Sequence, residues 1–443
     1  MNRINIKHKS AIWCILLIAG ILAYVIDSPV LLFVYCTMLW VLISLGAKFS
    51  FFTEVSFILL FSYLQAVMRK VFGNISGSTL AWAGVRTPFY FAEMTLAIMS
   101  FLLILLWFVW FTKLIEREKA IYQIDTGLTN ITGSVFLIIS VVLVLLVFPS
   151  FPSLATFSSG TRARNEAVPY GLVLLALMIC ALTFDLAKKR KAYYIVYALI
   201  SFWILGHGER VEILGFLSYA ALKALNAGDS FGKKDIQRNK KIMIFLGGAA
   251  AVILSMWIGL ARSGVHSTIA PRMMFYNLIV QGTCGDVVYC FNCAIDMWKN
   301  GNGLYGYTYL DYLVQLVPGL ASDYALPQIL IRDYGTMGGA LFFSEPMANF
   351  GMVGVVVFNV EFCVVMNMIL KKTAQYRAWI WIPVVTEIFR TCWYGRSGWI
   401  LAVFVEIPIL YFGCKYFLNR CIINSCGRRH ARKFAIGDKT RNE

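Results

Sequence analysis

The sequence predicts an all-α polytopic membrane protein with about twelve transmembrane helices and one large extracytoplasmic loop that carries short amphipathic helices. Hydrophobic residues make up 59% of the 443 residues, and charged residues make up only 14%, whereas roughly a quarter of a soluble domain is charged. The mean hydropathy is +0.70. Apolar runs follow one another along the chain with one long interruption, at 262–348. We therefore treat residues 1–443 as a single integral membrane domain.

The apolar runs define the predicted helices in order. A helix needs roughly 20 apolar residues to cross the hydrocarbon layer of a bilayer. The first run follows a basic flank and has no A-x-A-like cleavage site after it, so we predict an uncleaved transmembrane helix there. The runs fall near residues 11–27, 29–47, 51–72, 89–112, 133–149, 168–187, 192–206, 211–226, 242–261, 349–370, 378–393 and 398–418.

The lysines predict the orientation of these helices, because cytoplasmic loops are enriched in positive charge. With the N-terminus in the cytoplasm, nearly every lysine falls in a cytoplasmic loop or in the basic C-terminal tail at 419–443, with Lys70 and Lys299 as the exceptions. Both termini are then cytoplasmic, and the 262–348 loop is extracytoplasmic. The net charge of +17 follows from this topology, so we do not predict a nucleic-acid partner.

Arginines do not follow the same rule. Positive charge outside works against the predicted topology, which indicates that these arginines serve a purpose. The arginine side chain stays charged and binds phosphate with two parallel hydrogen bonds. This pattern indicates an anionic ligand at the outer membrane face, such as a lipid-linked phosphate or pyrophosphate. The arginines predicted outside are Arg86, Arg162, Arg164, Arg210, Arg262, Arg272, Arg332 and Arg396.

Two short polar turns carry charge at the membrane boundary. GHGERVEIL, at 206–214, places Glu209 and Arg210 between two apolar runs, and ionisable groups at that depth are usually paired or functional. An ordinary polar hairpin is the alternative there. EIFRTCWYGRSG, at 387–398, spaces Glu387 and Arg390 so that they share a helix face. Arg390 and Arg396 together predict a phosphate clamp. The alternative is that Arg390 belongs to a structural ion pair.

The segment SEPMANFGMVG, at 344–354, is where the predicted loop returns to the bilayer. Ser344 is a candidate helix N-cap, and Glu345 then lies near the positive end of the helix. Gly351 and Gly354 predict a close approach between helices. Helix capping alone also explains this pattern.

The predicted loop itself combines aromatic residues with carboxylates and amides, including Asp296 and Asp311. This mixture is typical of a sugar-binding site, since a sugar ring has an apolar face and polar edges. An amphipathic segment at the lipid headgroups would have the same composition. The cysteine spacing does not fit a zinc knuckle, and nucleotide-binding motifs are missing. We therefore expect neither a metal nor a cofactor.

Together, the arginine-bearing turns, the long outer loop and the SEPMANFGMVG return segment resemble the Wzy-type O-antigen polymerases. The resemblance implies a membrane glycosyltransferase at the periplasmic face of the bacterial inner membrane. Such an enzyme moves a growing saccharide from undecaprenyl pyrophosphate onto the next lipid-linked repeat unit, during lipopolysaccharide O-antigen biosynthesis. Its partners would be undecaprenyl-pyrophosphate-linked oligosaccharide and membrane lipid. The resemblance leaves open whether a polysaccharide chain-length regulator also binds.

The resemblance also gives the candidate residues their roles. A transfer of this kind needs a base for the acceptor hydroxyl and positive charge for the leaving pyrophosphate. The catalytic candidates are Glu209, Arg210, Glu345 and His266. The pyrophosphate- and substrate-binding candidates are Arg262, Arg272, Arg390, Arg396, Asp296, Asp311 and Asn349. Two alternatives share the architecture: an O-antigen ligase that transfers to lipid A-core, and a polysaccharide flippase or other transporter.

Overall fold

The computed structural model is helical throughout the part of the chain that it describes. It describes residues 6–73, 79–122, 138–142, 211–226, 282–315, 324–371 and 374–395, together with the single positions 145, 201, 247 and 412. The helices are α1 Ile6–Ile26, α2 Pro29–Ala47, α3 Phe51–Phe72, α4 Phe91–Phe111, α5 Leu114–Tyr122, α6 Val211–Asn226, α7 Gly282–Lys299, α8 Tyr307–Gln315, α9 Leu326–Tyr334, α10 Ser344–Lys371, α11 Ala374–Thr386 and α12 Ile388–Tyr394.

Five of these helices, α1 to α4 and α10, are long and apolar enough to cross a membrane. This supports the prediction of a helical membrane protein. The predicted count of about twelve spans stays a prediction. The runs predicted near 133–149, 168–187, 192–206, 242–261 and 398–418 lie wholly or mostly outside the described residues.

Local sequence signals explain the first turns of the bundle. Ser28 caps α2, its hydroxyl accepting from the backbone N–H of Leu31 at 3.5 Å, and Pro29 begins the helix. Ser50 caps α3 in the same way. The carboxylate of Glu118, on α5, accepts a further hydrogen bond from the backbone N–H of Phe51 at 2.7 Å. These contacts fix where α2 and α3 begin.

Helix α7 lies inside the segment that the sequence analysis assigned to the large loop, yet it is a packed element. It contacts α3 and α10, and nearly all of its residues are buried. Asp286 on α7 accepts from the hydroxyl of Thr79 at 2.8 Å and from the backbone N–H of Met337 at 3.1 Å. Burial raises the pKa of the Asp286 carboxyl. The described part of this segment therefore rests on the apolar bundle through α7.

Helix α10 is kinked where it enters the bundle. Phe350 and Gly351 leave helical geometry, and Gly351 has φ +61°. A side chain at Gly351 would overlap the indole of Trp298, on α7. One at Gly354 would come within 2.7 Å of the Phe350 Cβ. Gly351 thus allows the close helix approach predicted for it, whereas Gly354 allows α10 to fold back on its own first turn.

The last described span is also interrupted. The sequence predicts one apolar span at 378–393, but α11 contains Pro383 and ends at Thr386, and α12 begins at Ile388. Glu387 lies at the break between the two helices and is 1% exposed. Glu387 leaves helical geometry, with φ −92° and ψ 9°, although its backbone N–H still donates to the carbonyl of Pro383 at 2.9 Å.

Candidate functional site

Two cavities are each lined in part by residues of the short helix α8. We call the first the polar cavity. It has a volume of about 620 Å³ and is lined by Met297, Asn302, Leu304, Tyr307, Tyr324, Ile329, Arg332, Asp333 and Tyr334. We call the second the apolar groove. It has a volume of about 590 Å³ and is lined by Tyr309, Tyr312, Phe350, Val353, Gly354, Val357, Phe358 and Glu361. Both volumes fall in the usual range of small-molecule sites.

The polar cavity combines aromatic faces with a charged pair. The rings of Tyr307 and Tyr324 meet edge to face, with centroids 4.6 Å apart. Arg332 donates from Nε to Asp333 Oδ1 at 2.6 Å and from Nη2 to Oδ2 at 3.0 Å. The guanidinium lowers the pKa of the Asp333 carboxyl, so both side chains are charged at neutral pH. The cavity thus offers ring faces, hydrogen-bond donors and acceptors side by side.

Asp296 does not line the polar cavity but bonds to Tyr334, which does. It is 6% exposed, and its oxygens accept from Tyr90 Oη at 2.8 Å, from Asn300 Nδ2 at 3.0 Å and from Tyr334 Oη at 3.2 Å. Burial, followed by the hydrogen bond to Asp296, raises the pKa of Tyr90 to about 12. Asp296 was predicted to bind substrate. Its contacts in the structure orient Tyr334, which does line the cavity.

Lys299, an exception to the predicted lysine pattern, is the last residue of α7. Its ammonium forms an ion pair with Glu93, at the start of α4. It also lies 4.5 Å from the centre of the Tyr90 ring. These contacts join α7 to α4 and so give a structural reason for a lysine at this position.

Asn349 joins α8 to α10. It is fully buried, and its side-chain oxygen accepts from the backbone N–H of Gly306 at 2.7 Å. Its amide donates to the hydroxyl of Thr308 at 2.7 Å and to the backbone carbonyl of Glu345 at 2.8 Å. These contacts fix the start of α8 against the first turn of α10. Asn349 itself lines neither the polar cavity nor the apolar groove.

The apolar groove runs along α10 from the kink at Phe350 and Gly351 toward Glu361. At the end nearest the kink, the rings of Tyr309 and Phe350 stack, with centroids 6.2 Å apart. Val353 and Val357 are 74% and 61% exposed. The groove continues to Glu361, which is about 16 Å along the helix from Phe350. A channel of this shape and lining fits a hydrocarbon chain.

Glu345 lies where the groove begins. It is 8% exposed, and its carboxylate accepts a hydrogen bond from the hydroxyl of Tyr312, which lines the groove. Among the predicted catalytic residues, Glu345 is the one that the structure describes. The backbone carbonyl of Glu345 also accepts from the Asn349 side chain, one turn further along α10, at 2.8 Å.

The other predicted site residues lie at buried or half-buried positions or outside the described residues. Asp311, on α8, is 1% exposed. Arg390, on α12, is half-buried, and its guanidinium carbon lies 5.7 Å from the centre of the Tyr394 ring. Neither residue lines the polar cavity or the apolar groove. The predicted residues outside the described part of the chain are Glu209, Arg210, Arg262, His266, Arg272 and Arg396.

The site list drawn from the sequence did not include the residues that line the polar cavity. Arg332 and Asp333 lie in the last turn of α9, a nine-residue helix, and Tyr324 precedes that helix. Only the fold brings Tyr324 against Tyr307. One sequence signal was present: the charged pair Arg332 and Asp333 directly precedes Tyr334 in the predicted outer loop.

Comparison of the chain with protein-family models, with curated proteins and with solved structures finds no match in any of the three.

Proposed function

We propose that this chain is a membrane glycosyltransferase of the O-antigen polymerase type. The observation that carries the proposal is the pair of cavities to which α8 contributes lining residues. One has aromatic and charged walls, and the other is an apolar channel along a membrane-spanning helix. A ligand that occupied both would have a sugar-like head and a hydrocarbon tail. Undecaprenyl-pyrophosphate-linked oligosaccharide has this chemistry.

The aromatic walls suit a saccharide for a physical reason. One face of a sugar ring carries only C–H groups and packs against an aromatic ring, while its hydroxyls bond to charged and amide side chains. Tyr307, Tyr324 and Tyr334 supply rings, and Arg332 and Asp333 supply donors and acceptors. The support of Tyr334 by Asp296 holds this arrangement before a ligand arrives, which lowers the entropic cost of binding.

The reaction that we propose forms one bond and breaks one bond. A hydroxyl oxygen of the acceptor sugar attacks the anomeric carbon of the donor saccharide, and the bond from that carbon to the pyrophosphate oxygen breaks. The hydroxyl proton passes to a carboxylate or imidazole base. Glu345 is the described candidate, and Glu209 and His266 remain the other two. The leaving undecaprenyl pyrophosphate gains negative charge, which nearby arginines would stabilise.

A deletion strain tests the proposal. Lipopolysaccharide from a strain that lacks this chain should consist of core bearing a single repeat unit, without the ladder of longer forms. Unsubstituted core would indicate an O-antigen ligase instead.

A purified-protein assay separates the enzyme from a transporter. Full-length protein reconstituted with undecaprenyl-pyrophosphate-linked repeat units should lengthen them without added metal or nucleotide. Movement of the repeat units between leaflets with no lengthening would identify a flippase and overturn the proposal.

A further inference from the structure

Two short helices in the segment between α7 and α10 expose opposite kinds of side chain. They are α8, at Tyr307–Gln315, and α9, at Leu326–Tyr334. A helix at the surface of a protein in water turns its apolar face inward and its polar face outward. Helix α9 has this arrangement, and α8 has the reverse.

Helix α9 has the polarity expected beside water. Its buried residues are apolar, and its exposed residues are polar or charged with the exception of Ile331. The buried residues are Leu326, Ile329 and Leu330, and the exposed polar residues are Gln328, Arg332 and Asp333. The outward face of α9 is therefore suited to water.

Helix α8 has the opposite polarity. Thr308 and Asp311 are each 1% exposed, whereas Leu310 and Leu313 are 51% and 61% exposed. Residues three apart share a helix face, so the two leucines lie on one face and the two polar residues lie on another. The polar face of α8 thus packs against the protein, and its apolar face is left exposed.

The buried polar face of α8 is held by α10. The Thr308 hydroxyl accepts from the Asn349 side chain at 2.7 Å, and the Tyr312 hydroxyl donates to the Glu345 carboxylate. Glu345 and Asn349 belong to the first two turns of α10. Hydrogen bonds to α10 therefore fix which face of α8 is buried.

The position of α8 along α10 matches the surface of a membrane. Helix α10 has 28 residues and is apolar enough to cross a bilayer, and roughly 20 residues suffice to cross the hydrocarbon layer. Because Glu345 and Asn349 make its first turns polar, we place the excess length there, at the level of the lipid headgroups. Helix α8 is bonded to those same turns.

The exposed face of α8 also continues an apolar surface of α10. Val353 and Val357 are exposed on α10, as expected of a membrane-spanning helix in contact with lipid. The rings of Tyr309 on α8 and Phe350 on α10 stack and join the two helices. Lipid that contacts the exposed face of α10 would thus also reach α8.

We propose that α8 lies in the surface layer of the membrane, with Leu310 and Leu313 in contact with lipid acyl chains. Amphipathic helices at a bilayer surface bury their apolar face in this way. Tyr307 of α8 lines the polar cavity together with Arg332 and Asp333 of α9. The polar cavity is therefore lined by both a lipid-facing helix and a water-facing helix. The proposal does not depend on glycosyl transfer, because a lipid-facing α8 is equally compatible with a transporter.

The test measures the surroundings of single side chains in full-length protein. Leu310, Leu313, Gln328, Val357 and Lys113 are replaced one at a time by p-acetylphenylalanine, whose ketone is coupled to a nitroxide without labelling the cysteines. All five positions are exposed, so each variant should keep the wild-type unfolding midpoint. The proteins are reconstituted in phosphatidylcholine vesicles that contain no isoprenoid lipid. Electron paramagnetic resonance then compares collisions of the nitroxide with O2, which concentrates in hydrocarbon, and with a nickel chelate, which stays in water.

The two leucine positions should behave like Val357, the hydrocarbon reference on α10. A polar chelate enters hydrocarbon only at a high cost, so the ratio of O2 to nickel collisions at Leu310 and Leu313 should exceed that at Gln328 about tenfold or more. Gln328, on the outward face of α9, is the matched control. Lys113, an exposed charged residue just after α4, should give the same low ratio as Gln328.

Two results would overturn the proposal. One is the same ratio at Leu310 and Leu313 as at Gln328, which would place the exposed face of α8 in water. The other is protection of both leucine positions from O2 and from the nickel chelate, which would show that protein covers this face.

Discussion

Two groups of polar side chains lie close together in the segment from α7 to α10, and they differ in how their hydrogen-bonding capacity is used. Asn292, Asp296 and Asn349 are almost fully buried, and their side chains bond to other parts of the protein. Arg332 and Asp333 have side chains that are 68% and 40% exposed, and they line the polar cavity. We infer that the first group maintains the fold and that the second group contacts ligand.

The comparison shows that residue type does not reveal role in this segment. An aspartate or asparagine among tyrosines looks the same in the sequence whether its partners belong to a ligand or to the protein. The difference depends on contacts between residues far apart in sequence. Asp296, for example, binds Tyr90 from before α4 and Tyr334 from the end of α9.

The largest effect is expected from a matched pair of asparagine substitutions. Asn292 accepts from the backbone N–H of Tyr90 at 3.0 Å and donates to the Thr87 hydroxyl and the Pro88 carbonyl at 2.8 Å. Asn292→Leu leaves buried groups unsatisfied and should cost about 3 kcal/mol or more. Asn302→Leu, at an exposed position on the polar cavity, should change stability by about 0.5 kcal/mol or less. Thermal unfolding in detergent measures both, and equal shifts would remove the distinction between the two groups.

An intermediate effect, on activity rather than stability, is expected at Asp333. Asp333→Asn removes a charged acceptor from the polar cavity and should lower kcat/KM for lengthening of lipid-linked repeat units about tenfold or more. Its unfolding midpoint should stay near wild type, because an exposed ion pair contributes about 1 kcal/mol or less. Asp296→Asn should instead lower the unfolding midpoint. An Asp333→Asn enzyme with wild-type kinetics would show that this pair does not contact substrate.

The smallest effect is a difference in pH dependence between Asp286 and Asp333. Burial raises the folded-state pKa of Asp286, so the folded state binds more protons than the unfolded state. The contribution of Asp286 to the free energy of unfolding is therefore largest below the unfolded-state pKa of about 3.9. It is lost as the pH rises through the folded-state pKa. The pKa of Asp333 is lowered by Arg332. Stability from Asp333 is thus present above about pH 3.9 and is lost as the pH falls through its folded pKa.

Unfolding midpoints measured against pH for wild type, Asp286→Asn and Asp333→Asn test these signs. The midpoint difference between wild type and Asp286→Asn should shift in favour of wild type as the pH is lowered toward 4. The midpoint difference between wild type and Asp333→Asn should change only below about pH 4, where wild type loses stability relative to the variant. The same sign for both residues would contradict the assigned environments.

The sequence predicted the helices whose limits are set by local signals. The predicted spans at 29–47 and 51–72 have the same limits as α2 and α3, because Ser28, Pro29 and Ser50 mark the helix starts. Helix α10 begins at Ser344 rather than near 349. Its first turn is polar by composition, and contacts such as that of Asn349 with Gly306 hold it. These contacts are not visible in the sequence.

Helix α7 and the candidate site were harder to predict for one reason. The apolar residues of α7 are interrupted by Asp286, Asn292 and Asp296, so the segment lacks the uniform hydropathy of a buried helix. Remote partners satisfy those side chains. Partners within the protein likewise bond to Asp296 and Asn349, which the sequence analysis took as substrate ligands, and their proposed contact with substrate stays a prediction. Glu345 is the predicted catalytic residue that the structure describes, and it is bonded to Tyr312, which lines the apolar groove.

The central claim is that the polar cavity and the apolar groove bind the head and the tail of one lipid-linked saccharide. Photo-crosslinking tests it directly, with undecaprenyl-pyrophosphate-linked saccharide that carries a diazirine either on the sugar or on the isoprenoid chain. The sugar probe should label peptides within 324–334, which line the polar cavity, and the isoprenoid probe should label peptides within 350–361, which line the apolar groove. Labelling of the same peptides by both probes, or of neither region by either probe, would contradict the claim.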